Sequence, residues 1–175
     1  MRVYRMVGYV AEGMALFSGA LFLLVAFYTT ADVIGRRFGT FSGVTDEVSA
    51  YVLVTGAMWG LAFALRTGAH VRIDVLLPVL PRPVRQGLDI VATLLMGLFA
   101  GILAFYAWRM AMVSWDLKAK ALGLLGAPLY IPQWMMAWGL SVLVLEAVLL
   151  VAVKLVSVLF LGGQEVAGSP PQEEG

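Results

Sequence analysis

Cysteine is absent from the chain, and histidine occurs once, at His70. The first absence removes disulfides, thiolate metal sites, iron–sulfur clusters and cysteine nucleophiles. The second removes a bis-histidine haem held within this chain. Charge is scarce as well: 13% of the 175 residues are Asp, Glu, Lys or Arg, against about a quarter in an average soluble domain. The 12 basic and 11 acidic residues nearly cancel, so no basic surface for nucleic acid is implied. No glycine-rich phosphate loop, no HExxH and no serine or threonine beside a credible base in a motif is present, so neither an enzyme nor a cofactor is expected.

What remains is apolar. Hydrophobic residues make up 61% of the chain, and the mean hydropathy is +0.90. Four stretches approach the roughly twenty apolar residues needed to cross a bilayer. They predict an all-α integral membrane protein with transmembrane helices over about residues 11–31, 48–66, 89–109 and 131–153. Backbone groups in hydrocarbon have no water to bond, so each span must be helical. The size suits one compact four-helix domain over 1–160, and the tail from 161 to 175, rich in Gly, Pro, Gln and Glu, reads as disordered. The first span is too long for a signal-peptide core and is read as an uncleaved anchor. The N-terminus and the third loop, DLKAKALGLLGAPLYIP, have room for short amphipathic helices along the membrane surface.

Lysine and arginine counts set the orientation. The N-terminus, second loop and tail carry Arg2, Arg5, Arg66, Arg72, Arg82, Arg85 and Lys154, seven in all. The other two loops carry five: Arg36, Arg37, Arg109, Lys118 and Lys120. The excess places both termini in the cytoplasm. Tyr28, Tyr51, Trp108, Trp115, Tyr130 and Trp134 would then gather near the outer interface, the level amphipathic rings prefer. Three prolines in LLPVLPRP, from Leu76 to Pro83, interrupt any helix through the second loop.

Secondary transporters commonly carry paired halves and broken helices at the midplane. No span here holds a central proline, and no internal repeat is evident. Small residues mark packing faces instead. Gly56 and Gly60 form one GxxxG, Gly97 and Gly101 another, and Ala11, Ala15 and Gly19 a looser stripe. Such residues let helices approach closely, either within the chain or against another membrane subunit.

Glu146 is the one acid well inside a span. An intramembrane carboxylate is expensive and invites a functional reading. Proton coupling would want further relay groups, and none stands at comparable depth; a structural or interfacial role is the alternative. Arg66, His70 and Asp74, spaced four apart, would stack on one face if the second helix ran on. A surface ion pair explains them, since one histidine with one carboxylate makes a poor metal site. At the start of the second span, Thr45 reads as an N-cap, and Asp46 and Glu47 suit the positive end of the helix dipole. A partner contact on the outer face is the other reading of these acids.

The run from Thr45 to Arg85, TDEVSAYVLVTGAMWGLAFALRTGAHVRIDVLLPVLPRPVR, resembles the small membrane subunit (DctQ-type) of tripartite ATP-independent periplasmic (TRAP) transporters. That family's H-[IV]-x-[VI]-D element matches His70 to Asp74. DVIGRRF, from Asp32 to Phe38, and IPQW, with Pro132 and Trp134, are similar as well. The tryptophan often found before the acidic pair is replaced here by Val44 and Thr45. The resemblance implies a multi-pass protein of the bacterial inner membrane without catalytic residues, cofactor or metal. It also implies three kinds of partner: a large multispanning permease carrying the sodium and substrate sites, a periplasmic binding protein delivering an organic acid, and membrane lipids. Two other classes compete. One is a self-sufficient small oligomeric transporter or channel using Glu146; the other is a haem-free membrane anchor of a redox enzyme.

Overall fold

The computed structural model describes residues 2–39, 43–68 and 81–160. Four helices account for most of them: α1 (Arg2–Arg37), α2 (Thr45–Arg66), α3 (Arg82–Asp116) and α4 (Tyr130–Phe160). Each predicted span lies inside one of these, and all four helices are long and apolar enough to cross a membrane. The chain is therefore an all-α membrane protein. His70, Asp74, the proline-rich segment up to Leu80 and the tail from 161 onward lie outside the described residues.

Helix lengths exceed the predicted spans. With 36 and 35 residues, α1 and α3 run to about 54 and 52 Å at 1.5 Å per residue. The 22 residues of α2 give about 33 Å, close to the hydrocarbon thickness of about 30 Å. No separate surface helix occurs at the N-terminus, because the segment from Arg2 to Val10 is already the first part of α1. No proline interrupts it, and Gly8 is helical within it.

The third loop also differs from expectation: it is not a helix. Lys118 takes the left-handed conformation (φ 47°) directly after α3. The Lys118 amide donates to the Trp115 carbonyl and the Ala119 amide to that of Ser114, the paired bonds of a Schellman stop. Gly123, Gly126 (φ 56°) and Pro128 then favour turns over helix. The loop doubles back on itself, with Lys120 bridged to Pro128 and the Ala121 amide donating to the Ala127 carbonyl at 2.9 Å. Thr45 is not the cap of α2 either. Val44 holds that position without a side-chain hydrogen bond, and Thr45 is the first helical residue.

The helices form an open row rather than a closed bundle. α3 packs along α4, α4 along α2, and α2 along α1, with α1 also reaching α4 more lightly. α2 and α4 run parallel, while α1 and α3 run against them. The core is thin and made of small side chains: Ala11, Ala62, Ala100, Ala104, Ala107, Ala137 and Ala147 are buried with Leu65, Leu140 and Leu143. Leu23, Phe27, Leu53, Leu98, Phe99 and Val148 point outward, each more than half exposed. Without a hydrophobic drive between helices in lipid, close backbone contact is what holds such a row together.

Candidate functional site

Two charged junctions involve α2, one at each of its ends, at Glu47 and at Arg66. At the lower level, Arg66 ends α2 and Glu146 lies on the facing side of α4. The guanidinium Nη1 donates to Glu146 Oε1 at 3.0 Å, and the carboxylate is fully buried while Arg66 is 23% exposed. The second oxygen, Oε2, has no hydrogen-bond partner among the described residues. α1 packs against the Arg66 side of this pair at Gly8, where any Cβ would fall on the guanidinium itself. One ion pair thus ties three helices together. A lone carboxylate at this depth would be strongly disfavoured; a nearby guanidinium offsets much of that cost.

At the upper level Glu47, in the first turn of α2, grips the third loop. Its Oε2 accepts from the Leu125 amide at 3.1 Å, and its Oε1 from the Ala127 amide at 3.2 Å. The Tyr51 hydroxyl lies 3.4 Å from Oε1. Gly123 lies so close to the carboxylate that a side chain there would collide with it. Charge-assisted bonds to backbone amides are stronger than neutral ones, so the loop is held over the start of α2. Asp46, one residue earlier, is exposed. Asp32 is buried on α1 and pairs with Arg36 one turn on, at 2.8 Å.

The two GxxxG faces split. Gly56 faces the Phe22 ring of α1, and an added Cβ would come within 2.6 Å of it. Gly97 faces Ala147 of α4 at 3.0 Å. Gly60 and Gly101 meet nothing within 4 Å. α2 and α4 come close at Gly139, where a Cβ would lie 2.8 Å from the Trp59 ring and 2.9 Å from the Met58 backbone. Pro132 is buried, and Trp134 stacks on Trp115 at 5.2 Å, with Tyr130 edge-on to Trp115 at 4.7 Å. Trp108 sits apart from this cluster and donates from Nε1 to Ser141.

Sequence reasoning missed Gly8, Gly123, Gly139 and the ion pair between Asp89 and Lys154 at 2.5 Å. The last had a readable signal, a lone acid at the edge of the third span and a lone base at the matching edge of the fourth. Gly8 and Gly139 had none, because their significance comes from side chains on other helices.

An open row of four apolar helices, pinned by internal polar contacts, defines a multi-pass membrane protein. Residues 25–160 match the family described as tripartite ATP-independent periplasmic transporters, DctQ component, and the chain belongs to that family. It is also 33% identical over 110 residues to the ectoine TRAP transporter small permease protein TeaB of Halomonas elongata. That alignment covers 62% of this chain and 56% of TeaB, so the chain spans little more than half the length of this relative.

Proposed function

We propose that the chain is the non-catalytic small subunit of a TRAP transporter. In this reading it scaffolds a large, sodium-coupled permease of the bacterial inner membrane that imports an organic acid delivered by a periplasmic binding protein. Both termini lie in the cytoplasm, and the loops after α1 and α3 face the binding protein. The observation that carries the reading is the family match over residues 25–160. The open row is consistent with it, since its broad apolar faces suit contact with a second membrane protein and with lipid. The pairing of Glu146 with Arg66 weighs against Glu146 as an isolated proton carrier.

The test is reconstitution. The tagged chain would be co-expressed with the large permease and binding protein encoded beside it. Sodium-driven uptake would then be measured for a panel of organic acids, with ectoine added because the relative is named for it. Capture of the large permease, and loss of uptake when this chain is left out, are the expected results. Uptake by proteoliposomes containing this chain alone would favour the small self-sufficient transporter instead.

A further inference from the structure

α3 stands at the edge of the row, packed along α4. On its outward side lies Arg109, which is exposed. No hydrogen bond or ion pair reaches it among the described residues. The sequence puts Arg109 at the outer boundary of the third span, but α3 continues as helix to Asp116, about 10 Å further at 1.5 Å per residue. Its surroundings on α3 are apolar or aromatic in both directions: Phe105, Tyr106, Met110, Met112 and Val113 are each at least half exposed.

The depth of Arg109 follows from contacts across the row. Trp108, the residue before it, donates from Nε1 to Ser141 at 3.1 Å and packs edge-on to Trp138 at 5.7 Å. Gly139, between those two positions of α4, lies against Met58 and Trp59 of α2. Both are about 10 Å or more along the helix from either charged end of α2, Glu47 and Arg66. Because α2 is only about as long as the hydrocarbon is thick, about 30 Å, Arg109 stands inside the apolar zone. The loop that follows α3 is bonded to Glu47, so the outer boundary lies beyond the end of α3. Side chains on a helix lean toward its N-terminus. Arg109 therefore leans inward, away from the headgroups nearest to it.

A guanidinium left alone at such depth is strongly disfavoured, and intramembrane arginines pair with other groups. Arg66 obeys that rule by meeting Glu146. We propose that Arg109 pairs with the carboxylate of an Asp or Glu on a transmembrane helix of the large permease, so that the outward face of α3 is an intersubunit seam. The assignment rests on the subunit reading above and adds which edge of the row is covered. Charge decides the kind of occupant. An acyl chain offers the guanidinium nothing, and the nearer lipid phosphates lie opposite to its lean. An acidic side chain on a helix supplies the missing charge at the right depth, and Met110, Met112 and Val113 supply apolar packing beside it.

Capture of the large permease encoded beside this chain, by the tagged chain in mild detergent, tests the pairing. Arg109→Leu and Arg109→Glu should each lower capture about thirtyfold or more, the effect of leaving one charge of a desolvated pair unmatched. Arg109→Lys should retain most of it. The melting temperature of the isolated chain should not fall in Arg109→Leu, which separates a lost partner from a damaged fold. Tyr106→benzoylphenylalanine, close to one turn from Arg109, should photo-crosslink to a permease helix. Replacing the acid of that helix with Arg should restore capture by Arg109→Glu. Wild-type capture by Arg109→Leu would overturn the pairing and leave the subunit reading intact. Crosslinks solely to a second copy of this chain would overturn it as well. A wild-type chain that captures no permease would sink the subunit reading itself, and the pairing with it.

Discussion

Arg66 and Glu146 stand at equivalent depths on two parallel helices, joined at 3.0 Å with the carboxylate wholly enclosed. Removing one member strands the other in a poorly solvated site, and truncating half of a buried pair commonly costs about 3–5 kcal/mol. Glu146→Ala and Arg66→Ala should therefore each lower the melting temperature of the purified chain in detergent. The double replacement Arg66→Met with Glu146→Leu should recover most of the loss, because no charge is then left unpaired. Single variants that melt like the wild type would show the pair to be dispensable.

Gly8 is the third member of that junction. Any larger side chain must displace either α1 or the Arg66 guanidinium. Gly8→Leu should destabilise the chain by about 1–3 kcal/mol, the usual range for overpacking. The effect should shrink in an Arg66→Ala background, where the obstructing group is gone. A double-mutant cycle reads this directly, since contacting residues couple while independent ones add. Additive losses would place the strain elsewhere.

These contacts show what was legible in the sequence. The four spans and the family were, because both rest on composition and short motifs strung along the chain. The seams were legible only in part. A GxxxG pair promises two close contacts on one face, yet Gly56 meets Phe22 while Gly60 meets nothing, and Gly97 meets Ala147 while Gly101 meets nothing. A glycine's role depends on the helix opposite, and pattern along one helix cannot supply that. Gly139, which has no glycine partner at four residues' spacing, lies against the Met58 backbone of α2 all the same. Glu146 was visible as costly, but its partner was not, because Arg66 is 80 residues away in the chain.

Glu47 offers a local test. Its two amide bonds hold Leu125 and Ala127, and a hydrogen bond to a charged group contributes about 1.5–3 kcal/mol. Glu47→Ala should leave the helices intact while raising hydrogen exchange at residues 123–127 by at least about tenfold, since every 1.4 kcal/mol of lost protection is a factor of ten. Glu47→Gln should fall between, keeping an acceptor but losing the charge. If exchange in the loop is unchanged in Glu47→Ala, the Schellman stop and the Lys120–Pro128 bridge suffice to hold the loop by themselves.

The orientation read from basic residues can be tested cleanly because the chain has no cysteine of its own. Leu122 at the loop tip and Arg5 near the start of α1 are both exposed, and they belong to opposite ends of the row. The seven-to-five bias puts the Arg5 end in the cytoplasm. In intact spheroplasts, Leu122→Cys should react with a membrane-impermeant maleimide, and Arg5→Cys should react only after lysis. The reverse pattern would turn the row over. It would move the Glu47-held loop to the cytoplasm, where a periplasmic partner could not reach it, and the proposed contact with a binding protein would fall with it.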